Sequence, residues 1–115
     1  MAFVLRDFRP GDLEKVIFIN RTCLPENYSP FFFMNIHKHF PDLFLVAEVD
    51  GEVVGYIMCR IEGGFLRARR GHVISIAVLP EHRRRGIATA LLKEALARMS
   101  ERYGASECYL EVRVC

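Results

Sequence analysis

The run His82-Arg83-Arg84-Arg85-Gly86-Ile87-Ala88 carries the clearest chemical signal in this sequence of 115 residues. A helix leaves its first backbone N–H groups without internal partners, and Ser, Thr, Asp or Asn usually caps them. Between Pro80 and Gly86 stand only Glu81, His82 and three arginines. Three cations therefore crowd the positive end of a helix dipole, at a cost of ~0.3–1 kcal/mol each. A bound pyrophosphate relieves both problems, because its oxygens accept the orphan N–H bonds and neutralise the arginines. Gly86 lets an anion approach the backbone, and Ala88 keeps the first turn narrow. A solvated basic turn and a nucleic-acid patch are the competing readings. The net charge of +2 gives the nucleic-acid reading little support.

The elements around this loop alternate in type. Phe3 to Phe8 reads as a strand, broken at Arg9-Pro10-Gly11-Asp12, where Asp12 can cap a helix running to about Cys23. Two prolines mark Leu24 to Pro30 as a loop, and Phe31 to Phe40 has helical length before Pro41 stops it. Leu43 to Val49 and Val53 to Ile61 flank Asp50-Gly51, a pair favoured in tight hairpins. His72 to Leu79 is an apolar, β-branched run that suits a buried strand, with His72, Ile74, Ile76 and Val78 on one side by simple alternation. From Gly86 to Arg102 the apolar residues Ala88, Leu91, Leu92, Ala95, Leu96 and Met99 keep helical spacing, and Gly104 suits a C-terminal cap. Glu107 to Val114 reads as a last strand. Arg67, Arg69 and Arg70 precede the His72 strand, whose eight residues at ~3.3 Å each set them about 26 Å from the arginine loop.

Composition agrees with a single small soluble domain: 51% apolar and 26% charged residues, with no repeat or low-complexity tract. No apolar run approaches the ~18 residues of a membrane span. Cys23, Cys59, Cys108 and Cys115 are widely separated, which fits a reducing cytoplasm better than a disulfide framework.

Arg83-x-x-Gly86-x-Ala88 resembles the Arg/Gln-x-x-Gly-x-Gly/Ala signature of the GCN5-related N-acetyltransferases (GNAT), and the element order is similar to theirs across essentially the whole chain. Within that superfamily, Cys23-Leu24-Pro25-Glu26-Asn27-Tyr28 resembles the substrate loop of Ard1-type protein N-terminal acetyltransferases. Gly71 to Val78 and Tyr109 to Val114 are similar to the corresponding strands of archaeal members. The resemblance implies an α/β GNAT (acyl-CoA N-acyltransferase) fold, a mixed and mostly antiparallel sheet flanked by helices. It implies acetyl-CoA as cosubstrate and transfer of its acetyl group to the α-amino group of protein N-termini. Backbone groups of Ile76, Ala77 and Val78 would hold the pantetheine arm and acetyl group, and Arg84, Arg85, Gly86, Ile87, Ala88 and Thr89 the pyrophosphate. Glu26 and Tyr28 would line the substrate amine and its peptide, with His72 and Glu111 positioning or deprotonating that amine.

Each proton-handling candidate has a plainer reading beside this one. Glu26, a loop carboxylate next to an aromatic residue, is the preferred base if desolvation raises its pKa, yet a Glu after Pro is ordinarily solvated. His72 titrates in a useful range but can simply pack, and Glu111 can face solvent. Two such ligands are too few for zinc, so no metal is expected. The GNAT family continues past its fifth strand with Ser-Asn, a helix carrying a tyrosine often cast as general acid, and two further strands. Here Val114-Cys115 stands where the family has Val-Ser-Asn. The expectation is a single N-acetyltransferase domain over 1–115, truncated after the fifth strand, with the last strand open to pairing in a homodimer. Acetylation of a small amine and a catalytically silent coenzyme A-binding or assembly module stay open as alternatives.

Overall fold

Asp50 and Gly51 both adopt positive φ, 52° and 80°, in the computed structural model, which describes residues 2–110. That is the backbone a tight hairpin turn requires. It joins β2 (Phe44–Val49) to β3 (Glu52–Glu62) as antiparallel neighbours. β1 (Val4–Asp7) adds to the free edge of β2, and β4 (Arg70–Val78) to that of β3, both antiparallel. The chain then crosses through α3 (Ile87–Tyr103) and returns as β5 (Glu107–Leu110), which pairs with β4 in parallel. The described sheet has the order β1-β2-β3-β4-β5.

Helices cover both faces. α3 buries Ile87, Leu91, Ala95 and Met99 at the spacing its sequence indicates, and Gly104 ends it in the left-handed conformation. Met99 packs on Gly71 of β4. Helices α1 (Leu13–Cys23) and α2 (Pro30–His39) cover the opposite face, burying Val16, Ile19, Phe33 and Ile36. Ser29 caps α2 by accepting from Phe32 N–H at 3.1 Å, with Pro30 at the first helical position. Among the described residues, no helix is long and apolar enough to cross a membrane.

Two sequence expectations are corrected. Asp12 makes no side-chain cap to α1. Its carboxylate turns back to accept from Arg9 N–H at 2.8 Å and from both terminal nitrogens of Arg6, because a charged guanidinium is the stronger donor. The second correction concerns β4. Ser75 pairs with Met58 but Val73 pairs with Cys59, so Ile74 is an extra residue in a bulge. Simple alternation fails there. His72, opposite Arg60, shares a face with Ser75 and Ala77, while Ile76 and Val78 point to the α3 side.

Gly71 is tied to this arrangement, since a Cβ on it would lie 2.2 Å from Met99 Sδ. Gly71→Ala should force the buried Met99 aside and cost about 1–3 kcal/mol, measured as a shift in the denaturant midpoint at unchanged slope.

Candidate active site

The outer edge of β4 is the first component. Leu79 N–H donates to Val54 O at 2.9 Å, which makes that pair a hydrogen-bonded one. In an antiparallel ladder such pairs alternate. Ala77 and Ser75 therefore direct their peptide groups to Tyr56 and Met58, whereas Val78 and Ile76 direct theirs away from β3. Among the described residues, β5 flanks β4 only from Arg70 to Val73, so it does not cover the outward groups of Ile76 and Val78. The N–H and C=O of Ile76 and the N–H of Val78 thus face the outer edge, while the peptide groups of Ala77 are directed to β3.

Beyond Val78 the chain bends into the arginine loop. Arg84 and Gly86 both hold positive φ, 64° and 82°, and the start of α3 has no side-chain cap. Alternating backbone twists of this kind turn successive N–H groups toward a common point, the geometry of an anion nest. At Gly86 the positive φ is what calls for glycine, since a Cβ there would meet nothing within 4 Å. Val78, His82, Arg83, Arg84, Ile87 and Ala88 line a cavity of about 180 Å³ at this point. Thr89 is exposed on the first turn of α3, and Arg85 reaches His82 Nδ1 at 3.3 Å. Arg83 departs from the expected trio of cations. Its Nε donates to Val78 O at 2.8 Å and its Nη2 approaches Cys23 Sγ at 3.4 Å, so it clamps the end of β4 to α1.

On the α1 and α2 face, a buried amide organises the loop that joins these helices. Asn20 is fully buried on α1, and its Nδ2 donates to Glu26 O at 3.0 Å and to Tyr56 Oη at 3.2 Å. Its Oδ1 accepts from Tyr28 N–H at 3.3 Å. Tyr56 shares a 2.6 Å hydrogen bond with the buried Ser75, so the network reaches β4. Burial pushes the Tyr56 phenol up to about 12, which keeps it a neutral link. Tyr28 stacks on Phe32 at 5.0 Å and donates to Ile74 O at 3.4 Å, placing the loop against the bulge. The Glu26 main chain is anchored, but its side chain is exposed, so the fold does not supply the burial that the preferred base was expected to have.

His72 meets a partner that sequence reasoning missed. Its Nδ1 lies 3.0 Å from Glu62 Oε2, and its ring stacks on Tyr109 at 4.4 Å. Glu62 also accepts from Arg60 Nε at 3.0 Å and from the Tyr109 hydroxyl, with Arg70 Nη2 at 3.6 Å. These contacts hold the Glu62 carboxyl at about 2, below its ordinary 4.5. The Tyr109 bond is the largest cause, opposed by burial and reinforced by Arg60 and His72. Register was the available signal, since Arg60 and Glu62 on β3 lie opposite His72 and Arg70 on β4. Asn20 had one too, as a polar residue one position from the core-facing Ile19. Glu111 lies outside the described residues.

A family model described as the acetyltransferase (GNAT) family matches residues 13–115. The chain belongs to this GNAT family. An N-alpha-acetyltransferase of Sulfurisphaera tokodaii is 52% identical over 96% of the chain and 70% of its own length. One of Saccharolobus solfataricus is 51% identical over 97% of the chain and 71% of its own length. The chain thus spans about 70% of the length of these GNAT relatives. Among solved structures, Ard1 from Thermoplasma volcanium superposes with a TM-score of 0.77 at 31% identity, over 89% of this chain and 66% of that one.

Two measurements test the GNAT site as a structure. Glu62 titrates lower in the folded chain, so its stabilisation is complete above about pH 4.5 and is lost as pH falls toward about 2. Glu62→Gln should therefore flatten the acid side of a stability–pH curve built from urea midpoints. Asn20→Ala should cost about 1–3 kcal/mol by orphaning Tyr28 N–H, and should raise the KM for peptide more than that for acetyl-CoA.

Proposed function

We propose that this chain transfers the acetyl group of acetyl-CoA to the α-amino group of protein N-termini. The observation that carries the reading is the convergence of the outward edge of β4 and the uncapped, positive-φ loop on one cavity, lined by Val78, Arg84, Ile87 and Ala88. Relatives about half identical to the chain bear the name N-alpha-acetyltransferase.

The donor set fits acetyl-CoA. Backbone N–H groups from Arg84 to Thr89, with the Arg84 and Arg85 side chains, suit a pyrophosphate. The outward N–H and C=O of Ile76 and the N–H of Val78, whose oxygen Arg83 occupies, suit the amides of a pantetheine arm laid beside the strand. Acetyl-CoA, when bound, would supply the thioester whose carbonyl the substrate amine attacks, the new C–N bond replacing the C–S bond and coenzyme A leaving as the thiol. Ile76 N–H points to the edge where negative charge develops on the acetyl oxygen, a placement that favours the transition state over the ground state.

The proton demand is modest, because a peptide α-amino group has a pKa of ~7.7–8.0 and a useful fraction is neutral near pH 7. His72, on the face that carries Tyr28, takes the remaining proton, and Glu111 is assigned to the same step. Tyr28 and the anchored Glu26 main chain form the wall against which the peptide lies. The Glu26 side chain, exposed beside Tyr28, meets the incoming ammonium group electrostatically. The reaction belongs in the cytoplasm, where nascent N-termini are available and thiols such as Cys59 and Cys108 stay reduced. Pairing of two copies along β5, the outermost described strand beyond β4, is part of the same reading.

Incubation with acetyl-CoA and a panel of N-terminal peptides, beside free polyamines, tests the function. Acetylated peptide is expected, and product from polyamines alone overturns the assignment. Arg84→Glu should weaken acetyl-CoA binding by about 1–3 kcal/mol by calorimetry, because it reverses charge where charge-assisted bonds form. Light scattering that finds only monomer at micromolar concentration rejects the pairing along β5.

A further inference from the structure

Glu62 is far from the acetyl-binding end of β4, yet it is the most heavily engaged carboxylate on the sheet. Tyr109, Arg60 and His72 all bond to it, and Arg70 pairs with it. Resting on the reading of His72 as the group that takes the amine proton, we propose that Glu62 is the positioning residue that sets the tautomer and ring plane of His72.

The chemistry follows from the donor count. An ionised carboxylate only accepts, so the 3.0 Å contact places a hydrogen on His72 Nδ1 and leaves Nε2 as the bare, basic nitrogen. Tyr109 then fixes the ring plane by stacking at 12° to it, while its own hydroxyl bonds the other oxygen of Glu62. Arg70 lies over the far side of the Tyr109 ring at 4.7 Å, which closes the assembly. Among the described residues Nε2 has no hydrogen-bond partner, and His72 shares the sheet face of Ser75 and Tyr56, against which the Asn20-anchored substrate loop is held. When His72 accepts a proton at Nε2, Glu62 faces the resulting imidazolium as its counter-charge. This arrangement of base and orienting carboxylate is a general way of holding imidazole ready for proton transfer.

A stapling role for Glu62 at the hairpin end would affect stability and all kinetic constants together. The proposal separates them. In ¹⁵N-labelled protein, long-range proton–nitrogen correlation should show His72 as the Nδ1–H tautomer in its neutral form. Glu62→Ala should lose that signature and lower kcat for peptide about tenfold or more, with KM for acetyl-CoA unchanged. Glu62→Gln, which keeps an acceptor but not the charge, should retain the tautomer and give an intermediate kcat. It also preserves the measurement should the alanine variant not fold. An Nε2–H tautomer in the parent protein overturns the proposal, as does an unchanged kcat in Glu62→Ala when His72→Ala is impaired. A His72→Ala variant with undiminished kcat instead removes His72 as the base, and Glu62's part in catalysis with it.

Discussion

Inserting one extra residue, Ile74, into β4 opposite the Met58–Cys59 step changes which way the strand points on either side of it. Before the bulge, Gly71 meets α3 and His72 lies on the face covered by α1 and α2. After it, Ser75 and Ala77 lie on that same face, and Ile76 and Val78 send their peptide groups to the outer edge. Without the bulge, His72 and Ser75 would lie on opposite faces. The buried network of Asn20, Tyr56 and Ser75 and the base candidate could not then share one surface. Tyr28 bonds the bulged residue itself, through Ile74 O, so the loop between α1 and α2 is registered to this irregularity.

The two ends of β4 are electrostatically distinct. At its start, Arg60, Arg70 and His72 gather around the single carboxylate of Glu62. At its end, Arg83 is spent on Val78 O and Cys23, while Arg84 and the first N–H groups of α3 present positive character around an apolar-walled cavity. Glu62 and its cationic partners thus lie at one end of β4, and the uncapped loop with its cavity lies at the other.

Most of the architecture was legible because it rests on short-range physics. Asp50-Gly51 specified a hairpin, Gly104 a helix end, and the spacing of Leu91, Ala95 and Met99 the buried face of α3. The missing cap before Ile87 was visible in the sequence and holds in the structure, and the motif there carried the family resemblance. What was not legible depends on register. A bulge in β4 leaves no local trace in the run His72 to Leu79, so alternation grouped His72 with Ile76 wrongly. Glu62 became visible only when the hairpin placed it beside His72, and Arg83 looked like a third phosphate ligand until the fold supplied Val78 O as its acceptor. Glu26 shows the converse, a loop residue whose main chain is tightly held while its exposure removes the burial its sequence context suggested.

The central claim is that one strand edge and one loop hold acetyl-CoA with its thioester directed toward the His72 face. A crystal structure of the protein with acetyl-CoA tests it most directly. The account predicts pyrophosphate oxygens on the N–H groups between Arg84 and Thr89, pantetheine amides paired with Ile76 and Val78, and none with Ala77. Acetyl-CoA bound with its pyrophosphate away from that loop, or its arm on the opposite side of β4, would contradict it.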